Sequence, residues 1–433
     1  MGFSGARTRG SCTAGTDPGG SDRTSPRAGL LGCVAGEPAA ESGRGTVWGG
    51  RGRVGGGPGG AVAARAAARA GARVLVVERS PHRPPRCTGL VGPTTLDLLA
   101  LPPRLVLRDL RAVRVVAPGG AVVEFRAPDV RGYVLDRRGL DRWLLERAAE
   151  AGAEVWSPAT AVGLSGRRLH TTGGAVEFGV LVAADGAASA VRRWVGLPSP
   201  GELLVGVQAE VEAPGAEDRV EVHLGSRVAP GGFAWVVPAG EGVVRVGLLT
   251  VAGREAFPLL DRFVASRFAG RRVLRREGGL IPIGPPATTS AGRALVVGDA
   301  AGQVKPLSGG GLLFGAIAAR IAGEVAAGGA DALPAYEARW RAELGEEIAF
   351  GLQGRRAFFL ADRELDRIVL ALDRPAVHRL VAAAGDIDRP SRLVRALLSH
   401  PSAWGALFPV VRAVGGWVAR ERGGGLSTAP PRR

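Results

Sequence analysis

The sequence predicts an α/β fold in which a Rossmann-like nucleotide-binding domain is discontinuous along the chain, with an inserted antiparallel β-sheet domain and a helical C-terminal region. Three observations carry this. A glycine turn, an alanine-rich helix and a short apolar strand ending in an acid run together from Val54 to Glu78. Two later apolar strands end in Asp185-Gly186 and Gly298-Asp299. Residues 201–289 hold strand-like segments such as "VEVHLG", "FAWVVP" and "VVRVGLL", and the chain is mostly helical from Ala330 to about Arg420.

The first element raises a difficulty. Gly55, Gly57 and Gly60 form G-x-G-x-x-G, which allows a tight turn, a close approach to pyrophosphate and close helix–strand packing. The phosphate then meets the positive end of the helix that starts near Gly60. Glu78 closes the strand Val74-Leu75-Val76-Val77, where an acid can bind ribose hydroxyls. A hydrophobic strand should precede the glycines, yet "TVWGGRGR" stands there. Residues 1–53 are expected to be a disordered tail or an out-of-frame translation. Re-read one base forward, the codons for Thr46 to Arg53 can encode an apolar strand ending in glycine.

The remaining elements follow in order. Residues 54–104 are expected to be the first part of the nucleotide domain and 105–130 strands of the substrate domain. Residues 131–200 resume the nucleotide domain, with "YVLDRRGLDRWLLERAAEAGAEV" as amphipathic helix and strand. Residues 201–289 form the inserted sheet, 290–330 the last part of the nucleotide domain, 331–420 C-terminal helices and 421–433 a disordered tail. Asp185 and Asp299 lie at strand carboxyl ends, where α/β sheets place ligands. Gly309, Gly310 and Gly311 precede the helix at Leu312 and offer further backbone donors.

Composition narrows the function classes. The chain has 433 residues, 46% hydrophobic and 22% charged, so it can bury a large core as one compound domain or two to three domains. Of its 56 basic residues only Lys305 is a lysine. The net charge of +16 comes from scattered arginines that form no nucleic-acid-binding motif, so no nucleic-acid partner is expected. Cys12, Cys33 and Cys87 make no disulfide framework, which fits a reducing, cytoplasmic location. No apolar run is long enough to span a bilayer. The five histidines show no metal spacing, and no metal site is expected. The C-terminal "ALFPVVRAVGGWVAR" either rests peripherally on a membrane through its apolar face and arginines or packs as an ordinary solvated helix.

Taken together, the glycine turn with Glu78 and the Asp185-Gly186 and Gly298-Asp299 endings resemble the FAD-binding fold of p-hydroxybenzoate hydroxylase-type flavoproteins. Within that group, "RCTGLVGP", "YVLDRRGLD", "PGGFAWVVP" and "GDAAGQVKPLSGGGL" resemble the geranylgeranyl reductase family, over Val54 to about Trp404. The resemblance implies that Gly59 and Glu78 bind the adenosine half of FAD and that Ala161 touches the adenine side. It implies that Cys87, Thr88 and Leu90 lie near the flavin ring and that Arg137 contacts FAD. Asp299 would bind the ribityl chain, while Gly311 and Leu312 would reach the ring. Phe233, Trp235 and Pro238 match an aromatic motif lining a prenyl pocket, although the family more often has Tyr in place of Phe233 and Phe in place of Val237. Cys87, beside Arg86, is either a small buried hydrophobe or a thiolate in a catalytic, flavin-contacting role.

The implied activity is FAD-dependent reduction of carbon–carbon double bonds in a prenyl chain of a lipid, quinone or pigment precursor, with NADPH or ferredoxin as electron donor. A flavin monooxygenase or halogenase on the same fold is the alternative, because flavin folds do not decide substrates.

Overall fold

The computed structural model describes residues 55–80, 86–215 and 217–406, together with the backbone of Val34 and Ala35. In chain order, β1 (Val34–Ala35) is followed by α1 (Pro58–Arg69) and β2 (Leu75–Val77). A first excursion runs β3 (Leu90–Val91), α2 (Pro93–Leu99), β4 (Val106–Leu110), β5 (Ala112–Val116), β6 (Val122–Arg126) and β7 (Gly132–Leu135). The chain returns through α3 (Arg137–Glu150) and β8 (Glu154–Trp156), adds a meander of β9 (Ala161–Ser165), β10 (Arg168–Thr171) and β11 (Gly174–Glu177), and continues into β12 (Val180–Ala183) and α4 (Ala190–Trp194). A second excursion comprises β13 (Glu202–Glu212), β14 (Arg219–His223), β15 (Phe233–Gly240), β16 (Val243–Thr250), α5 (Ala256–Arg267) and β17 (Val273–Ile283). Then come β18 (Ser290–Ala291), β19 (Ala294–Val296), α6 (Leu312–Ala327), α7 (Ala335–Gly354), α8 (Asp362–Leu372), α9 (Pro375–Ala384) and α10 (Pro390–Ser399).

The nucleotide unit is assembled from distant parts of the chain. β2 pairs in parallel with β8, and β12 in parallel with β19. Proline at its first position and a preceding glycine start α1, and its fully buried Ala61, Ala63, Ala64 and Ala67 keep it thin enough to lie close to the strands and α6. Among the described residues no ladder joins β2 to β12. A doubly wound sheet carries its first strand at this seam. The backbone of Val34–Ala35 pairs there with Val180 and Leu181, antiparallel and only two residues long. The stretch 46–53, which stands where a first strand should be, and the frame reading attached to it lie outside the described residues.

The second layer is a seven-stranded sheet in the order β17-β13-β16-β15-β14-β5-β6. It is antiparallel except where β5 joins β14 in parallel. One face packs on α5, burying Val207, Ala209, Val246 and Leu248 against Leu259, Leu260 and Phe263. Each Val, Leu or Phe among them contributes roughly 1.5–3 kcal/mol of burial free energy. The other face looks across a cavity toward the nucleotide unit.

The C-terminal helices brace both layers. From α7, the buried Tyr336 hydroxyl donates to the Val296 carbonyl (3.0 Å) and accepts from Gln303 Nε2 (3.0 Å). Gln303 Oε1 in turn accepts from the Gly298 amide at 2.8 Å. This chain of bonds fixes the turn that presents Asp299. α9 and the segment leading to α10 supply one wall of the cavity.

Candidate active site

A cavity of about 1010 Å³ lies between the carboxyl ends of β2, β12 and β19 and the inner face of the large sheet. It brings together Gly55, Gly57, Gly59, Glu78, Cys87, Thr88, Leu90, Arg137, Asp185, Gly186, Phe233, Trp235, Asp299, Gly311 and Leu312. These residues come from turns, strands and helix starts spread over about 250 residues of chain, and the alternation of strand and helix is what returns them to one place.

The glycine turn has the steric signature of a pyrophosphate cradle. A Cβ on Gly55 would stand 2.2 Å from the Ala184 carbonyl oxygen, and one on Gly60 would stand 1.5 Å from the Gly55 carbonyl oxygen. Both positions are filled by protein, so these two glycines serve close packing. Gly60 accordingly does not line the cavity. A Cβ on Gly57 would meet nothing within 4 Å, because that side of the turn faces the cavity at the amino end of α1. Backbone can therefore approach a ligand there, as a dinucleotide requires. Glu78 ties the turn to β2: its Oε2 accepts from Gly56 N–H and its Oε1 from Ser80 N–H, each at 2.7 Å. Burial raises its carboxyl above the usual range, against the two amide bonds. Each carboxylate oxygen keeps a free lone pair for a ribose hydroxyl.

On this side one expected contact has a second role and another is corrected. The Asp185 carboxylate also caps α4, accepting from Ser189 Oγ (2.5 Å), Ala190 N–H (2.7 Å) and Val191 N–H (3.3 Å). It shapes the Gly186 turn (φ +77°), and Asp185 itself borders the cavity with Oδ2 taken up by the two amides. Ala161 is fully buried in the core beneath the β9–β11 meander and does not line the cavity, because its short side chain faces inward from the strand.

The deep end of the cradle is polar. Asp299 reaches bare into the cavity, and a Cβ on Gly311 would stand 2.7 Å from its Oδ1. Crowding by surrounding protein raises its carboxyl above the usual range, with Arg137 opposing. Arg137, at the first turn of α3, is nearly buried and donates to Asp141 at 2.8 Å. Its Nε is buried without a partner. Although burial works the other way, Asp141 and the neighbouring Cys87 sulfur hold the guanidinium more firmly protonated than usual. The half-buried Cys87 sulfur also accepts from Gly89 N–H at 3.3 Å. An open cradle, a bare carboxylate and an orphaned guanidinium N–H fit a bound dinucleotide with a polar linker.

The sheet supplies the other wall. Three adjacent cross-strand rows share the inner face: Phe233–Leu249–Gly206–Gly279 and Trp235–Gly247–Gln208–Glu277 line the cavity, and Val237–Arg245–Glu210–Arg275 reaches it through Val237. Gly247 makes room for the indole, since a Cβ there would stand 2.3 Å from the Trp235 ring. Phe233 and Trp235 lie 5.9 Å apart between centroids. Pro238 is corrected by the same alternation: it pairs with Val244 on the opposite face, buried away from the cavity.

Sequence reasoning missed the polar row. Gln208 is buried, accepts from Thr88 Oγ1 at 2.9 Å and donates to Glu277 at 2.5 Å. Burial raises the Glu277 carboxyl, while Gln208 and Arg275 pull it down. Arg245 donates to the Thr88 carbonyl at 2.6 Å, fixing the Cys87 loop onto the sheet. Polar residues at alternate positions of otherwise apolar strands were the available signal, but alternation alone does not say which face is inward.

Comparisons with known proteins agree with this geometry. Residues 205–281 match the geranylgeranyl reductase catalytic domain family, and residues 54–89 an NAD(P)-binding Rossmann-like domain. A digeranylgeranylglycerophospholipid reductase 2 from Methanothermobacter thermautotrophicus is 37% identical over 350 residues, 74% of this chain and 90% of that one. A digeranylgeranylglycerophospholipid reductase from Methanothrix thermoacetophila is 35% identical, covering 76% of this chain and 92% of its own. Among solved structures, a geranylgeranyl bacteriochlorophyll reductase-like protein from Thermoplasma acidophilum shares the fold with a TM-score of 0.71 at 23% identity, covering 85% of this chain and 97% of that one. The chain belongs to the geranylgeranyl reductase family of FAD-dependent oxidoreductases.

Proposed function

We propose that the protein saturates carbon–carbon double bonds in geranylgeranyl chains carried on a glycerophospholipid-type lipid, using FAD reduced by NADPH or ferredoxin. One observation carries this: a single cavity joins a dinucleotide cradle at one end to an aromatic, largely apolar sheet face at the other. When bound, FAD supplies the hydride. The chain's own residues bind, orient and exclude water. Gly57 leaves room for the pyrophosphate, Glu78 and Gly59 serve the adenosine half, and Asp299 with Arg137 serves the polar linker. Gly311, Leu312, Thr88, Leu90 and Cys87 border the ring, with Cys87 beside the buried Arg137 charge, and Gly186 lines the same cavity. Phe233 and Trp235 hold the prenyl chain against it. Glu277, in the row with Trp235 and on the cavity wall, would return the proton to the second carbon.

The lipid class follows the relatives named above. Such a substrate is presented at a membrane surface, so peripheral contact from the cytoplasmic side accompanies this reading. No helix among the described residues is long and apolar enough to cross a membrane. The C-terminal segment suggested for that contact lies largely outside the described residues. Lipid mass spectrometry of a host that makes geranylgeranyl glycerophospholipids tests the assignment. Expression should convert them to species heavier by one hydrogen pair per bond reduced, and an unchanged lipid profile with flavin-loaded protein present would overturn it.

A further inference from the structure

In a chain that uses arginine at every other basic position, Lys305 is the only lysine, and it is buried. Its ammonium donates to Asp388 Oδ1 at 2.9 Å and to the Ile387 carbonyl at 3.0 Å. Asp388 is completely buried, and its Oδ2 accepts from Gly92 N–H (3.1 Å), Thr95 N–H (3.2 Å) and Thr95 Oγ1 (2.8 Å). One carboxylate thus grips the end of the Cys87–Gly92 loop and the start of the Lys305–Gly311 loop. The second loop is closed on itself: Lys305 N–H donates to the Gly310 carbonyl, and Gly309 N–H donates to the Lys305 carbonyl. The carboxylate belongs to the segment between α9 and α10, and Val381 and Ala382 of α9 with Gly385 and Ile387 of that segment wall the cavity.

The slot suits lysine. A Cβ on Gly310 would stand 2.8 Å from the Lys305 Cε, and one on Gly92 would stand 2.7 Å from Asp388 Oδ2. A compact ammonium on a flexible stem fits between these backbones, whereas a planar guanidinium needs a wider, forked site. Removing either partner leaves the other charge buried and uncompensated.

We propose that the Lys305–Asp388 pair is a positioning device for the reaction: it locks the C-terminal wall of the substrate lobe onto the two loops that border the flavin, so that cradle and wall form together. This rests on the flavin reading above. The test uses the full chain and its Lys305→Met, Lys305→Arg and Asp388→Asn variants, with FAD affinity by fluorescence titration and hydrogen exchange of residues 375–399 with and without FAD. In the parent protein FAD should slow exchange across 375–399. In Lys305→Met and Asp388→Asn, FAD should bind at least about tenfold more weakly, within the usual range of coupling between sites, and should no longer protect that segment. Lys305→Arg should not rescue either readout. Asp388→Asn keeps an acceptor for Gly92 and Thr95, so it carries the test if Lys305→Met does not fold. Parent-like affinity and FAD-dependent protection in Asp388→Asn, or in Lys305→Arg, would overturn the proposal. A parent protein that binds no FAD would instead overturn the flavin reading.

Discussion

The most discriminating substitution is Gly57→Val. The backbone at Gly57 is extended, with φ −69° and ψ 177°, which valine adopts readily. A Cβ there meets no protein atom within 4 Å. The cost to the unliganded fold is therefore limited to replacing glycine at a helix N-cap, about 1 kcal/mol. In a chain of this length that lowers the melting temperature by roughly 2–4 °C at most. The side chain instead fills the space through which pyrophosphate reaches the amino end of α1. Losing two charge-assisted hydrogen bonds of roughly 1.5–3 kcal/mol each weakens FAD binding by about 3–6 kcal/mol. At about 1.4 kcal/mol per tenfold, the dissociation constant rises roughly 10²- to 10⁴-fold. Gly60→Ala is the control: its Cβ would stand 1.5 Å from the Gly55 carbonyl, so it should destabilise the unliganded protein itself. Flavin fluorescence titration and thermal melts of apoprotein separate the two effects. A Gly57→Val protein that binds FAD within about threefold of the parent would refute the cradle assignment.

Further outcomes follow from the other walls. Asp299→Asn should weaken FAD binding but stabilise the apoprotein at neutral pH. A carboxyl whose folded value is raised destabilises the fold once ionised, so the penalty enters as pH rises above about 3.9 and is complete above the folded value. The melting temperatures of the two proteins should converge at acid pH, and a constant difference would reject the argument. Trp235→Ala should raise KM for a prenyl lipid about tenfold through lost apolar contact with little change in FAD affinity, whereas Pro238→Ala should leave KM unchanged. Burial holds Glu277 protonated above the ordinary range, so turnover should fall as pH rises through its titration. Glu277→Gln should remove that limb and slow turnover, and an unaltered pH profile would assign the proton to water.

Much of the nucleotide half was legible because its chemistry is local. Gly55 to Glu78 places turn, helix, strand and acid in one short stretch, and "VVGDAAG" places Asp299 at a strand end. The sheet half was less so. Alternation located β15, but the inward face depends on its pairing with β16, which puts Trp235 in the cavity and Pro238 behind it. The parallel joining of β5 to β14 links segments about a hundred residues apart, and no local pattern encodes it. The helix-capping role of Asp185 was hidden because a strand-end ligand and a helix-capping carboxylate share one sequence signature, and only the bonds to the amides of Ala190 and Val191 show it. The Lys305–Asp388 pair spans 83 residues, and its one trace in the sequence was the solitary lysine.

The central claim is that reduced flavin in this cavity delivers its electrons to a prenyl double bond. Single-turnover mixing tests it most directly: protein loaded with FAD, reduced chemically without oxygen, is mixed with a digeranylgeranyl glycerophospholipid while flavin absorbance and lipid mass are followed. The account predicts anaerobic reoxidation of the flavin, with one double bond lost and one hydrogen pair gained per flavin oxidised. A flavin that stays reduced until oxygen is admitted, and then yields an oxygenated or halogenated product, would contradict it.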